Sequence, residues 1–553
     1  MSVWGREPYG SILTVVAARG TTNYGTPFWV FGQQSWPTLG RAVFLLCFAR
    51  GDPPVMFSNS RVLRLFRRFL APGDTLSQRT VRSGAWMLGF RGVERAVGLV
   101  QIVILARALS PDDFGIVGLA MLAMAALDAF SQTGFDVALI QKKDDIRGYL
   151  DTAWSLQVVR GLTTFAIMAI SAPWIASFFR SPESTMIIRA VALVPLLRGF
   201  VNSGVIYFQK DLEFRRHVAY EIAGTVTNAV VSIVGAIVWR SVWALAFGLV
   251  AGHVARCAAS YRLHPYRPRF HIDWGKAGEV FRFGRWIMAN NMVSFVMLNG
   301  DNTVLGKLLG TTSLGLYQVA FKISNIAMTE ISRVLSRVTL PAFSKLQDHP
   351  DRLRTAFLKS LDLVIFVAAP LSAAVFFLGP DFVRIFLGEK WTPMGTALKI
   401  LALSGLIRAI VATGSSLYLS VYRPRLEFLT TLLSMAGMAI AVFPLTSRWG
   451  LGGTAAAVLL GNAVVLPVWA ANYFRLIRGG VGPLLGRVAL LALTFGAVGL
   501  PLVGSSRLGS IGVIEFALLL FAALLCYAGL SWVLLKYFDR GPFKLAKEIL
   551  ASI

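Results

Sequence analysis

Apolar stretches long enough to cross a lipid bilayer recur almost without pause from Val81 to Tyr537. A spanning helix needs about 20 such residues. A chain that supplies that length many times over reads as an all-α integral membrane protein. Charge usage agrees: only 15% of the 553 residues are charged, where soluble domains carry about a quarter. The net charge of +26 would suggest nucleic acid in a soluble protein. Here the Lys and Arg residues fall mostly in short loops between apolar runs, where they orient the chain and meet anionic lipid. Membrane lipids, and no nucleic acid, are therefore the expected partners. Cys47, Cys257 and Cys526 lie too far apart for a metal or redox motif.

The runs read as spans over roughly 83–108, 112–136, 149–178, 184–208, 214–239 and 241–262, then 277–309, 312–338, 352–378, 392–421, 425–447 and 451–475, and lastly 484–504 and 511–537. Loops holding Lys142, Lys143 and Arg147, or Lys210, Arg215 and Arg216, or Arg262, Arg267, Arg269 and Lys276 are basic. So are those with Lys345, Arg352 and Arg354, with Arg423 and Arg425, and with Arg475, Arg478 and Arg487. The loops between them, such as 111–113 and 181–183, carry few cations. The positive-inside rule then gives about fourteen transmembrane helices with both termini cytoplasmic. The expected organisation is a six-helix lobe at 83–262, a basic cytoplasmic linker at 263–276, a second six-helix lobe at 277–478, and two extra helices with a basic tail at 479–553. Residues 61–82 form a basic amphipathic segment suited to the membrane surface. Residues 1–60 lack any period, and are expected to be disordered or to lie upstream of the true start, with Met56 as an alternative initiator.

The two six-helix sets are related. Arg82, Gly84, Trp86, Leu105, Leu109, Gly115 and Ala120 recur 200 residues later as Arg282, Gly284, Trp286, Leu305, Leu309, Gly315 and Ala320, and Arg107 faces Lys307 under the same shift. In each copy an apolar run, a short polar break (110–113, then 310–313) and a second apolar run follow one another. An even number of spans per copy makes the repeat parallel, about an axis along the membrane normal.

No catalytic set is present, and the five histidines form no metal-ligand spacing; Gly306-Lys307 lacks the spacing of a nucleotide loop. No enzyme activity, cofactor or metal is expected. The chemistry lies in ionisable groups at membrane depth, which face a cavity or a partner because lipid excludes them. Arg91, Glu94, Gly98 and Gln101 share one helix face by 3-4-3 spacing, and their repeat partners are Asn291, Ser294, Leu298 and Asp301. Both faces are expected to line a central cleft, with Arg91, Glu94, Arg95, Arg160, Arg198 and Asn291 binding substrate and Asp301 with Asn302 coupling to an ion. The plainer alternatives are that Glu94 neutralises Arg91 and Arg95, and that Asp301 pairs with Lys307. Asp128, Arg189, Glu221, Arg285, Lys322, Asn325, Glu330 and Asp362 are further polar groups in spans. A cationic cleft suits an anionic head group such as a diphosphate. In 450–453, Gly450, Gly452 and Gly453 read as small residues for helix packing.

The stretch Ile104-Leu105-Ala106-Arg107-Ala108-Leu109-Ser110-Pro111-Asp112-Asp113-Phe114-Gly115, with Gly134-Phe135 after it, resembles the Wzx-type polysaccharide flippases of the multidrug/oligosaccharidyl-lipid/polysaccharide exporter superfamily. Asp301-Asn302, 305–310, 314–317 and Ala320 are similar to that family's opening of the second lobe. The resemblance covers about 75–478. It implies transport of an undecaprenyl-diphosphate-linked oligosaccharide across the bacterial inner membrane by alternating access, for exopolysaccharide, capsule or O-antigen synthesis. It also implies a lipid-linked oligosaccharide as partner, with polysaccharide polymerase and chain-length proteins nearby. A peptidoglycan-precursor flippase, a drug or cation antiporter of the same superfamily, and a non-transporting scaffold or polymerase subunit stand as alternatives.

Overall fold

The computed structural model describes residues 76–538, apart from 133, 143–144, 212 and 504–511. The expectations for 1–60 and for most of 61–82 fall outside these residues, as do the side chains of 76–90, 282, 285–286 and 330. The described residues contain helices and no strand. In chain order the helices are α1 Leu76–Ala108, α2 Pro111–Ser131, α3 Phe135–Gln141, α4 Arg147–Phe178, α5 Ser184–Gly199, α6 Ile206–Lys210, α7 Phe214–Trp239 and α8 Trp243–Leu263. There follow α9 Trp274–Leu346, α10 Pro350–Phe382, α11 Gly395–Ser420, α12 Pro424–Ala463, α13 Val465–Leu476, α14 Val481–Val503 and α15 Val513–Phe538. Nine helical stretches among the described residues are long and apolar enough to cross a membrane, ten if α5 and its bent continuation count as one.

The two polar breaks of the repeat are built differently. At the first, Ser110 caps α2: its Oγ accepts from Asp113 N at 3.2 Å while Asp113 Oδ2 accepts from Ser110 N at 2.8 Å, with Pro111 opening the helix. At the second, the chain kinks within α9 at Gly310, whose φ of +79° suits glycine. Gly450, at φ +58°, bends α12 in the same way between the expected spans at 425–447 and 451–475. One expected span is corrected. The run 184–208 is not a single helix, because α5 ends at Gly199 and the chain turns by 70° before α6. Asn202 makes that turn: its Oδ1 accepts from Gly204 N, starting a 3₁₀ turn, and its Nδ2 donates to Tyr266 O. A local capping bond overrides the apolar pattern there.

The helices form two lobes, and α14 and α15 pack against α10 of the second. Arg487 Nη2 bonds Asp362 Oδ2 at 2.8 Å, with both side chains largely buried, and Tyr527 donates to Phe366 O. Arg487 is thus an interior ion-pair partner, not one of the loop cations the sequence pattern grouped it with.

A close approach between the lobes obeys the repeat. A Cβ on Gly115 would lie 1.8 Å from Thr311 O, and one on Gly315 would lie 1.9 Å from Pro111 O. Residues 115 and 315, like 111 and 311, are repeat partners, so each copy presents to the other the same two positions. This is the signature of a two-fold contact. Glycine is required at both, because the backbones touch.

Candidate functional site

A cavity of ≈ 650 Å³ opens at the far end of α2, about 24 Å along the helix from Gly115. Ser131 and Gln132 of α2, Gly134 and Phe135 of the turn into α3, Leu156, Gln157, Val159 and Arg160 of α4, and Arg198 of α5 form one wall. Trp274, Ala277, Gly278, Phe281, Ile287 and Asn291 of α9 form the other. Gly134, at φ +64°, lets Ile287 approach to 2.4 Å of where a Cβ would stand, which brings the start of α3 against α9. A smaller cavity of ≈ 260 Å³ shares Gln157, Arg160 and Arg198 with the first and continues past Asn202, His217, Tyr220 and Glu221.

Of the residues expected to bind substrate, Arg160, Arg198 and Asn291 meet around this space. Arg198 Nη1 bonds Asp128 Oδ2 at 2.6 Å, so much of its charge is already balanced. Asn291 Nδ2 donates to Gln132 Oε1 at 3.5 Å, joining the two walls. Arg91, Glu94 and Arg95 of α1 do not appear among the lining residues of either cavity. Arg91 lies within electrostatic reach of His217, and Arg95 of Lys322. Sequence reasoning missed Gln132, Trp274 and Phe281, and it missed Gln157, although Gln157 stands one turn before Arg160 and shares its face.

Several other intramembrane charges have polar partners. Glu221 Oε2 faces Arg256 Nε at 3.4 Å, Asp362 holds Arg487, and Arg408 Nη2 donates to Asn325 Oδ1 at 2.6 Å. Buried charges persist when paired in this way. Asp301, 3% exposed, accepts from Tyr317 Oη at 2.7 Å and from the backbone and amide nitrogens of Asn302 at 2.8 and 3.0 Å. Lys307 does not pair with it: its Nζ donates to Phe178 O at 2.6 Å.

At the Pro111 end the lobes are sealed. Asp112 Oδ1 accepts from Thr311 Oγ1 at 2.6 Å and Thr312 Oγ1 at 2.9 Å. Arg107 Nε donates to Phe386 O at 2.9 Å, just beyond α10, while its repeat partner Lys307 reaches the end of α4. Each copy's cation therefore closes on carbonyls at the end of the other copy's third long helix. Lys390 donates to Arg107 O and Leu109 O, and Trp391, fully buried, donates to Ala106 O at 2.9 Å. Across the cavity from this seal, Lys142 Nζ bonds Glu279 Oε1 at 2.9 Å and Tyr149 Oη bonds Glu279 Oε2 at 2.9 Å, clamping the start of α9 to the first lobe. Lys276 Nζ adds a bond to Gly148 O.

A cavity between two repeat-related helical lobes, closed at one end of the bundle, defines a multi-pass membrane fold of the kind seen in solved transporters. The lipid II flippase MurJ, in an inward closed conformation, superposes with a TM-score of 0.66 at 13% identity, over 82% of this chain and 99% of its own. Residues 104–396 match the model of the polysaccharide biosynthesis protein family, and the chain belongs to that family. Among its relatives are the lipopolysaccharide biosynthesis protein WzxC of Escherichia coli, 23% identical over 64% of this chain and 72% of that protein, and the succinoglycan biosynthesis transport protein ExoT of Rhizobium meliloti, 23% identical over 60% and 67%.

Proposed function

We propose that this protein is a bacterial inner-membrane flippase that carries polyprenyl-diphosphate-linked oligosaccharide repeat units from the cytoplasmic to the periplasmic leaflet by alternating access. Fourteen crossings with both termini in the cytoplasm would put the cavity on the cytoplasmic side and the Arg107–Lys307 seal on the periplasmic side. The observation that carries the reading is the cavity itself: it lies between the lobes, has Arg160 and the Asp128-balanced Arg198 on one wall and Asn291 on the other, and faces away from the seal. Arginine recognises phosphate through a planar fork of donors. The family and the names of WzxC and ExoT support a polysaccharide precursor as the cargo.

In this conformation Arg160 holds the diphosphate. Arg91, Glu94 and Arg95 belong to a second station on α1, reached once the lobes have moved. Arg160→Ala should weaken binding of a polyprenyl diphosphate by about tenfold or more, each charge-assisted bond being worth about 1.5–3 kcal/mol. Arg91→Ala should bind it normally in this conformation and yet lower polysaccharide export in cells, normalised to folded protein. Full export by Arg160→Ala would remove the cavity as the substrate site.

A further inference from the structure

The cavity offers more than its cations. Gln132, the C-terminal cap residue of α2, Gln157 of α4 and Asn291 of α9 bring three carboxamides from three elements to its wall, and none of the described residues lining it is acidic. The Gln132–Asn291 bond, at 3.5 Å, is at the outer limit of a hydrogen bond. The pair therefore spans the cleft while keeping most of its capacity, since each amide has two donors and an oxygen with two lone pairs. The rings of Trp274 and Phe281, 77% and 51% exposed, stand on the same wall as Asn291.

A group that both donates and accepts is the complement of a hydroxyl or acetamido group, which does the same. Exposed rings supply flat apolar surface for the C–H face of a pyranose, the usual division of labour in a ligand pocket. A phosphate, which only accepts, would use the amide donors alone and is better met by the charged fork of Arg160. From this juxtaposition we infer that Gln132 and Asn291, with Gln157 beside them, form a subsite that reads the uncharged sugar next to the diphosphate, and so decides which repeat units are accepted. The amides come from both lobes, so a sugar held by both would also report that the head group is seated in the cleft. The inference rests on the proposed function as a carrier of lipid-linked sugars.

Two probes separate the subsite from the wider function: a polyprenyl diphosphate, and the same lipid bearing one N-acetylhexosamine, each bound to the full-length protein in lipid nanodiscs. The wild-type protein should bind both, the glycosylated lipid more tightly. Gln132→Leu and Asn291→Leu should weaken the glycosylated lipid by about tenfold, a cost of about 1.4 kcal/mol. They should leave the bare diphosphate within about twofold, which also shows that each variant is folded. Asn291→Gln, keeping the carboxamide, should recover part of the loss, and Arg160→Ala should weaken both probes. Equal wild-type affinity for the two probes, equal weakening of both by the amide variants, or no effect of those variants would overturn the subsite and leave the flippase reading standing. Failure of the wild-type protein to bind either probe would overturn both.

Discussion

Arg198 and Arg160 stand on the same wall, and the carboxylate of Asp128 lies 2.6 Å from Arg198. The sequence pattern marked both as groups at depth. It could not pair them, because Asp128 and Arg198 are 70 positions apart and Asp362 and Arg487 are 125 apart. Hydropathy reads depth along one helix, while pairing depends on which helices meet. Asp301 was legible as an unusual carboxylate, but not its clasp by Tyr317, which requires α9 to fold back on itself at Gly310. We expect Asp301→Asn to abolish gradient-driven export while Tyr317→Phe only slows it; normal export by Asp301→Asn, with the gradient intact, would remove it from ion coupling. The clamp residue Lys142 makes a pH prediction. Its hydrogen bond with Tyr149, and then that with Glu279, hold its pKa above the ordinary value. A raised lysine pKa stabilises fully below the unfolded value, and that contribution is lost as pH rises through the folded one. The difference in thermal midpoint between wild type and Lys142→Met should therefore stay constant from about pH 6 to about pH 9, closing only in alkali above the ordinary lysine value of about 10.4. A difference that vanished near neutrality would mean that the clamp does not hold the lysine's proton.

Most elements follow the apolar runs closely, and the repeat announced which helices correspond. What it did not announce is that the repeated glycines would meet each other. Spacing says that Gly115 and Gly315 are equivalent; only the packed structure shows that each carries the other's neighbouring carbonyl. Gly115→Ala should therefore be costly, by about 1–3 kcal/mol as an overpacked contact, since backbone and not a flexible side chain opposes the methyl. Gly98→Ala on α1, with nothing within 4 Å of the new Cβ, should be neutral or stabilise by up to about 1 kcal/mol through helix propensity. Thermal unfolding of the two variants in the same detergent checks the contrast; equal losses would mean that the crossing is loose. The bend after Gly199 escaped the sequence reading for the opposite reason: Asn202 works through two local backbone partners and leaves no trace in periodicity.

For the whole molecule, the alternation of basic and cation-poor loops predicts sidedness. Reporter fusions at Ser181 and Arg448 should report periplasm, and a fusion at Asp348 cytoplasm; reversal at any two of these would overturn the fourteen-crossing arrangement. In that arrangement the seal and the cavity would lie on opposite sides of the bilayer, joined by α2, which reaches from one to the other. The Gly115–Gly315 contact also limits how the halves can move. Two helices whose bare backbones meet at Gly115 and Gly315 cannot slide by a residue without driving a side chain into a carbonyl. For the alternating access proposed above, the spot would serve as a fulcrum placed off-centre, near the sealed end. On so unequal a lever, the proposed motion would need only a small tilt, loosening Arg107 and Lys307 from their carbonyls, to swing the distant tips of the helices through a much larger arc, so that an ångström of play at one mouth would become several at the other.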